Sequence, residues 1–502
     1  MAHLAPLTLE VIVLILGMFL LLAEAFSKGA DKSWMAKLSI YILSIVLAWT
    51  FFTNGNAGVT LETSFYTADA TALFFKRIAL LTTIVVLVMA IEFRGVLARY
   101  IPQAAEGAGT GEFYALPIFT CAGLMFMASA IDFLFIFVSL ELVTISFYIL
   151  VAYMRRSVAS LEAGVKYLIL GALSTGFLVY GFTWLFGLTG ETNLVKIGQI
   201  LPGLLAEGGR LHGSETGLLF GLMLVLVALG FKIAAAPFQL WVPDVYQGAP
   251  TPVTAFLSVG SKAAGFIVLI RILQPFLAAP ILREKLIAVL VVLAILTMIY
   301  GNLAAMPQDN FKRLLAYSSI GHAGYLLVAV ASIDSTGASG TAVAFYLAGY
   351  LLMTLLTFLI LIVVTNHSRG DEILHFNGLA RRSPFLAFGL LTAILSLAGV
   401  PFTAGFIGKW LVFAVAVKQH QFVLVGVGIV TVAAGFYYYL RVVAAMYWQE
   451  PNDDTPIKIG FLTRFTIALL TALIFIGGIF FLPILNMLNA APVHAVAQAV
   501  LR

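Results

Sequence analysis

"GFKIAAAPFQLWVPDVYQGAPTPVTAFLSVGSKAAGF" spans residues 230–266 and places two lysines, Lys232 and Lys262, and a proline, Pro237, in one of the most apolar stretches of a very apolar chain. A lysine at the centre of a membrane helix costs about 2.5–3.5 kcal/mol on insertion scales. An interior proline removes a helical hydrogen bond and clashes with the preceding turn. A sequence that keeps all three must compensate for them or use them.

The surroundings set the class. The chain has 502 residues, 62% of them hydrophobic and 10% charged, whereas a soluble chain carries roughly 25% charged residues. Apolar runs of about 20 residues recur along its length, which makes it an all-α, multi-pass membrane protein whose solvent is a lipid bilayer. The net charge of +5 comes from basic residues scattered through short loops. They form no clustered stripe, so nucleic acid is not a partner. The single cysteine, Cys121, sits in an apolar run and reads as a small buried hydrophobe. One thiol makes no internal disulfide and cannot by itself hold an iron–sulfur cluster. No metal site is expected. The opening "MAHLAPLTLEVIVLILGMFLLLAEAF" lacks a basic leader and carries Glu10, so it reads as a retained first helix rather than a signal peptide.

Spans are expected at about 6–26, 34–53, 75–93, 112–130, 132–154, 163–188, 217–247, 251–275, 284–305, 312–332, 340–366, 383–417, 421–446 and 463–487, which makes about 14. The longer connections are 54–74, 94–111, 189–216 and 367–382. "GAGTG" at 107–111 follows no strand, so it is not a nucleotide-binding loop. The distribution of lysine and arginine among the loops puts both termini on the non-cytoplasmic side.

Two of these runs are too long. As straight helices, 217–247 would reach about 46 Å and 383–417 about 52 Å, against a hydrocarbon core of about 30 Å. Each has prolines in its interior: Pro237 and Pro243 in the first, Pro401 in the second, where "PFTAG" adds Gly405. Both are expected to be broken near mid-membrane, where unwound backbone must line a cavity or be covered by protein. Discontinuous helices at corresponding places in two halves mark an ion path. The broken helices are the seventh and twelfth, five apart. This suggests two inverted five-helix units, 112–275 and 284–446, after leading helices in 1–111 and before a final helix at 463–487, all in one membrane domain.

The charges inside spans carry the functional argument. They are Glu141 in "IDFLFIFVSLELVTISFYILV", Lys166 in "EAGVKYLILG", Lys232, Lys262, and Lys409 in "GFIGKWLVF". Three central lysines would cost roughly 8–10 kcal/mol if charged and unpaired. Desolvation disfavours the charged form of a lysine and a nearby carboxylate favours it, so a lysine in that setting loads and releases a proton readily. Lys232 is read as the titrating group, with Pro237 opening a wet gap beside it. Blander readings stand beside these. Lys166 could snorkel to the interface, Glu141 could be a structural partner to a lysine, and His322 in "SSIGHAGY" could be a relay or a satisfied core histidine. Asp132, Glu112 and Asp244 read as helix-end residues. The tyrosines of "FYYYL" at 436–440 read as packing or interface anchors.

At these residues the chain resembles the antiporter-like membrane subunits of bacterial NADH:quinone oxidoreductase, respiratory complex I. Besides 230–266, the matching stretches are "EFYALPIFTCAGLMFMASAIDFLFIFVSLELVTISFYIL", "EAGVKYLILGALSTG", "QDNFKRLLAYSSIGHAGY" and "LSLAGVPFTAGFIGKW", in family order over roughly 70–445. The wording "PDVYQGAPTPVTAFLSVGSKAAGF" is similar to that of the subunit N branch. The resemblance implies 14 helices with two inverted repeats. It implies a Glu141–Lys232 ion pair in one half-channel, with Lys166 modulating Lys232. Lys262 would be the central connecting lysine and Lys409 the terminal residue of the other half-channel. It further implies partners, the other membrane subunits and a peripheral arm, which hold the NADH site, flavin (FMN), iron–sulfur clusters and quinone site, while this subunit has no redox chemistry or cofactor of its own. Gln239 departs from the family, where many members have histidine in "PFHLW". The alternatives are a subunit of a multi-subunit sodium/proton antiporter, which shares the fold, and a helical scaffold whose charges only lock helices together.

Overall fold

The computed structural model describes residues 7–27, 31–52, 65–102, 110–205, 214–333, 337–368, 370–451 and 455–489. Nearly all of them are helical. Among the described residues there is no strand; isolated bridges between Tyr66 and Ala130, Asp132 and Asn193, and Asn310 and Glu372 tie connections together. Most of the glycine-rich 107–111 stretch and both chain ends lie outside the described residues.

The first half comprises α1 (Thr8–Phe26), α2 (Ser33–Trp49), α3 (Ala70–Tyr100), α4 (Glu112–Ser129), α5 (Phe133–Val151), α6 (Val158–Thr189), α7 (Leu194–Leu205), α8 (Ser214–Ile233), α9 (Val242–Gly248), α10 (Thr251–Phe256) and α11 (Lys262–Leu277), with a π turn, Leu257–Ser261, joining α10 to α11. The second half comprises α12 (Pro280–Ala305), α13 (Phe311–Ala331), α14 (Ala338–Ser368), α15 (Leu379–Arg382), α16 (Pro384–Ala398), α17 (Ala404–Lys418), α18 (Phe422–Trp448), α19 (Phe461–Ile479) and α20 (Phe481–Asn489). Among the described residues 12 helices are long and apolar enough to cross a membrane, α10 to α11 counted as one. The 17-residue α2 and the 15-residue α16 are apolar but short, and the other half of the second broken run, α17, is also 15 residues long.

Helix ends follow local chemistry. Asp69 accepts from Ala72 N–H at 2.6 Å at the start of α3, Asp132 from Leu134 N–H at 2.9 Å at the start of α5, and Asn310 from Arg313 N–H at 3.0 Å at the start of α13. Each satisfies one of the amide groups that a helix N-terminus leaves without an intrahelical partner.

Three features differ from the sequence expectation. The connection 189–216 contains α7, whose buried residues Leu194, Ile197, Gly198 and Leu201 repeat with helical spacing. The seventh run breaks unevenly, into 20 residues of α8 and seven of α9, because Pro237 and Pro243 both lie in its C-terminal third. The last run is divided between α19 and α20.

The α10–α11 segment and α13 are buried along nearly their whole length and α14 over most of it, whereas α6 shows apolar side chains to the outside along most of its length. That outward apolar face is what lipid or a neighbouring membrane subunit accepts. The result is a polar-lined centre on α11, α13 and α14, surrounded by helices that face lipid or neighbours.

Candidate functional site: a buried lysine axis

The first break holds Lys232 one residue before the end of α8. Its Nζ donates to Thr144 Oγ1 on α5 at 3.0 Å. Glu141, one turn earlier on α5, accepts instead from Thr175 Oγ1 on α6 at 2.9 Å. The ion pair implied by the resemblance is therefore open in this structure, each partner being held by a threonine. A cavity of about 10 Å³ touches Thr144, Thr175, Ser174 and Lys232, enough for about one water. Pro237 does not line it; the space comes from α5, α6 and α8. Donor groups around the break find partners, one of them on α12, while Gln239 Oε1 is buried without a hydrogen-bond partner. Ala234 takes a left-handed φ of 66°, Ala236 N–H donates to Thr297 Oγ1 at 2.9 Å, and the Trp241 indole N–H donates to Phe231 O at 3.0 Å.

Lys262 opens α11 directly after the π turn and is 2% exposed. Its Nζ donates to the backbone oxygen and hydroxyl of Ser319 on α13, and it lies 5.5 Å from the centre of the Tyr350 ring. One turn along α13, His322 is buried with both ring nitrogens engaged, Nδ1 with the Tyr346 hydroxyl at 2.7 Å and Nε2 with the Tyr439 hydroxyl at 3.1 Å. The Tyr350 ring packs against His322 at 5.1 Å and the Tyr325 ring at 6.0 Å. Lys409 stands on the far side, 5.2 Å from the Tyr325 ring centre. Lys262, Tyr350, His322, Tyr325 and Lys409 thus form one unbroken buried row.

Lys409 sits at the second break. Gly399, with φ 89°, ends α16, and Val400 N–H turns back to Leu395 O at 2.9 Å. This is a Schellman-type stop. Pro401 lies between the halves. Lys409 Nζ donates to Leu397 O and Ala398 O, each at 2.8 Å. It therefore covers the two carbonyls that the helix end leaves open, where the helix dipole favours a cation. Among the described residues no carboxylate pairs with Lys232, Lys262 or Lys409.

Lys166 lies elsewhere. It is about 41% exposed and pairs with Asp244 Oδ2 and with Glu162 Oε1, both at 2.7 Å. It does not touch Lys232. Asp244, expected as a helix-end residue, is the hub of this cluster and also receives Arg313 Nη1 at 2.9 Å. The "FYYYL" stretch divides. Tyr437 faces outward, whereas Tyr438 and Tyr439 point inward, Tyr438 donating to Asn302 Oδ1 at 3.0 Å. Sequence reasoning also missed the acceptor Ser319, although "SSIGHAGY" places Ser318, Ser319, His322 and Tyr325 at spacings of three and four, one stripe of a helix.

Away from this row, Lys76 is not a loop residue. It is 3% exposed inside α3 and pairs with the fully buried Glu10 at 2.7 Å, with the Tyr66 hydroxyl 2.7 Å from the same nitrogen.

The family model described as "NADH:quinone oxidoreductase/Mrp antiporter, TM" matches residues 130–435, which contain every residue of the row. This chain belongs to that family. Among its members, an NADH-quinone oxidoreductase subunit N of Trichlorobacter lovleyi is 41% identical over 89% of this chain and 88% of its own length. One of Desulforamulus reducens is 38% identical over 97% and 98%. A chain of respiratory complex I from Thermus thermophilus with bound aureothin superposes with a TM-score of 0.77 at 32% identity, covering 95% of this chain and 98% of that one. As a member of the NADH:quinone oxidoreductase/Mrp antiporter family, the chain has Lys232, Lys262, Lys409, its two helix breaks and His322 within the matched region.

Proposed function

We propose that this chain is a proton-translocating membrane subunit of NADH:quinone oxidoreductase, corresponding to subunit N. In this reading it moves protons along Glu141, Lys232, Lys262 and Lys409 while redox chemistry runs in partner subunits. The observation that supports it best is the buried row from Lys262 to Lys409. Two desolvated lysines and a histidine are joined through tyrosines, with no carboxylate among the described residues pairing with either lysine. Burying a charge without a counter-ion is costly, which favours lysines that can give up their protons.

The arrangement suggests how coupling works. When Glu141 pairs with Lys232, the lysine is held charged. When the two are parted onto Thr175 and Thr144, as here, that support is gone and Lys232 releases its proton readily. The one-water cavity between the threonines gives that proton a carrier. Lys262 passes charge toward His322, whose two hydrogen bonds let it accept on one nitrogen and release from the other. Lys409 ends the row at the second break. Lys166 acts from the edge through Asp244.

The same reading counts α2 as a span and α16 with α17 as one, giving 14, with inverted units 112–275 and 284–446. It places the protein in a bacterial inner membrane with both termini outside the cytoplasm. Its partners are the other membrane subunits and a peripheral arm bearing the NADH site, FMN and iron–sulfur clusters, with the quinone site also in partner subunits. The test is Lys232→Ala in the assembled complex in native membranes. Loss of quinone-dependent NADH oxidation and of proton uptake, with assembly and reduction of an artificial acceptor by NADH intact, supports it. Normal pumping refutes it.

A further inference from the structure

The seven-residue α9 touches both the Lys166 cluster and the partner of Lys262, and packs against α13, which carries Arg313 of that cluster and Ser319. Asp244, in its first turn, holds Lys166 and Arg313. Tyr246, two residues on, places its hydroxyl 3.2 Å from Ser319 Oγ, the group that receives Lys262. Its C-terminal end is pinned by Lys312, which no part of the proton row uses. Lys312 is 5% exposed, and its Nζ donates to Gln247 O at 2.9 Å and Ala249 O at 2.7 Å. Arg313, its neighbour on α13, donates to Asp244 Oδ1 and to Gln247 Oε1 at 3.0 Å.

These contacts make α9 stiff and tightly seated. A Cβ on Gly248 would lie 2.4 Å from Ala159 O on α6, so the two backbones are in direct contact. Thr254 Oγ1 closes Tyr246 O from the α10 side at 3.1 Å. A two-turn helix held at both ends moves as a unit. A change at Asp244 is therefore delivered to Ser319 rather than absorbed between them, since close-packed contacts pass displacement on.

We propose that α9 is a lever linking the outer Lys166–Asp244 pair to the central lysine. Tyr246 and Lys312 are its positioning residues, and Lys166 acts on the proton row at Lys262 through Ser319. This rests on the proposed proton-translocating function. It gives Lys312 a task, and it gives Lys166 a route that needs no contact with Lys232.

Energetic coupling separates this from a merely structural role. The variants are Asp244→Asn, Tyr246→Phe and their double, with Lys312→Met and Lys312→Arg, each in the assembled complex in native membranes. Quinone-dependent NADH oxidation and proton uptake are measured per assembled complex. Each of Asp244→Asn and Tyr246→Phe is expected to lower proton uptake about three- to tenfold, and the double to do no worse than the weaker single, because both cut one linkage. Lys312→Met is expected to match them and Lys312→Arg to restore most of the loss. A double variant whose loss is the product of the two singles overturns the lever, as does Lys312→Met losing uptake only in proportion to assembled complex. Lys262→Met is run alongside. If it pumps normally, the proposed function fails; if it does not and the losses multiply, the lever alone fails.

Discussion

Lys409 and Gly399 are built for each other. The lysine reaches back from α17 to cover Leu397 O and Ala398 O, and its stem passes where a Cβ on Gly399 would stand, 2.9 Å from Lys409 Cδ. Gly399 also holds φ at 89°. The residue that stops α16 is thus also the residue that makes room for the charge that caps it.

Gly399→Ala is therefore expected to fail twice, through a left-handed backbone costing about 1–2 kcal/mol and through displacement of the lysine. The expected result is a lower melting temperature of the assembled complex and a loss of proton uptake. Gly187→Ala is the control. It lies in α6 with open space around it, and alanine there favours the helix by about 1 kcal/mol. Equal behaviour of the two variants would mean that the second break has no special geometry.

At the first break the threonines decide where the charges rest. Thr144→Val removes the acceptor of Lys232 but keeps the shape. A hydrogen bond to a charged group contributes about 1.5–3 kcal/mol, so the balance between Thr144 and Glu141 shifts about tenfold or more toward the ion pair. A lysine held on Glu141 gives up its proton less readily. Quinone-coupled turnover should fall about three- to tenfold, with assembly unchanged. Unchanged turnover would show that the open state seen here lies off the working cycle.

Much of this was legible because the signals were costly. A lysine in an apolar run, or a proline in a run of 31 or 35 residues, stands out at once, and Lys232, Lys262, Lys409, Pro237 and Pro401 were all found that way. The groups that receive those lysines were not. Serine and threonine are cheap in a membrane helix because each can bond its own backbone, as Ser139 does with Phe135 O and Thr144 with Leu140 O, and tyrosine is cheap because most of its surface is an apolar ring. Nothing in "FYYYL" tells inward Tyr439 from outward Tyr437 except the phase of α18, which depends on packing. The π turn before Lys262 has no sequence mark at all in "LSVGS". Glu10 and Lys76 went unpaired in the reading because they are 66 residues apart and only the fold brings them together.

His322 has no spare nitrogen. Tyr346 takes one side of the ring and Tyr439 the other. His322→Gln keeps a donor and an acceptor but cannot release from one face what it takes up on the other. If the histidine relays, this variant should lose proton uptake about a hundredfold or more, the low end of the range for a general acid–base group. If it is only packed, Gln should be tolerated and His322→Ala should cost assembly instead. Proton uptake per assembled complex separates the two.

The Glu10–Lys76 pair makes the sharpest stability prediction. Both groups are buried and bonded to Tyr66, and they join α1 to α3 outside the two proposed repeats. Removing one partner strands the other charge, at a cost of about 3–5 kcal/mol, whereas replacing both with apolar groups of similar volume is near neutral. Glu10→Gln is thus expected to weaken the complex in detergent, seen as earlier melting or loss of this subunit on a native gel. Glu10→Leu combined with Lys76→Met should recover most of it, with proton uptake close to normal. A double variant that assembles well yet pumps poorly would overturn the structural assignment and bring this pair into the proton path.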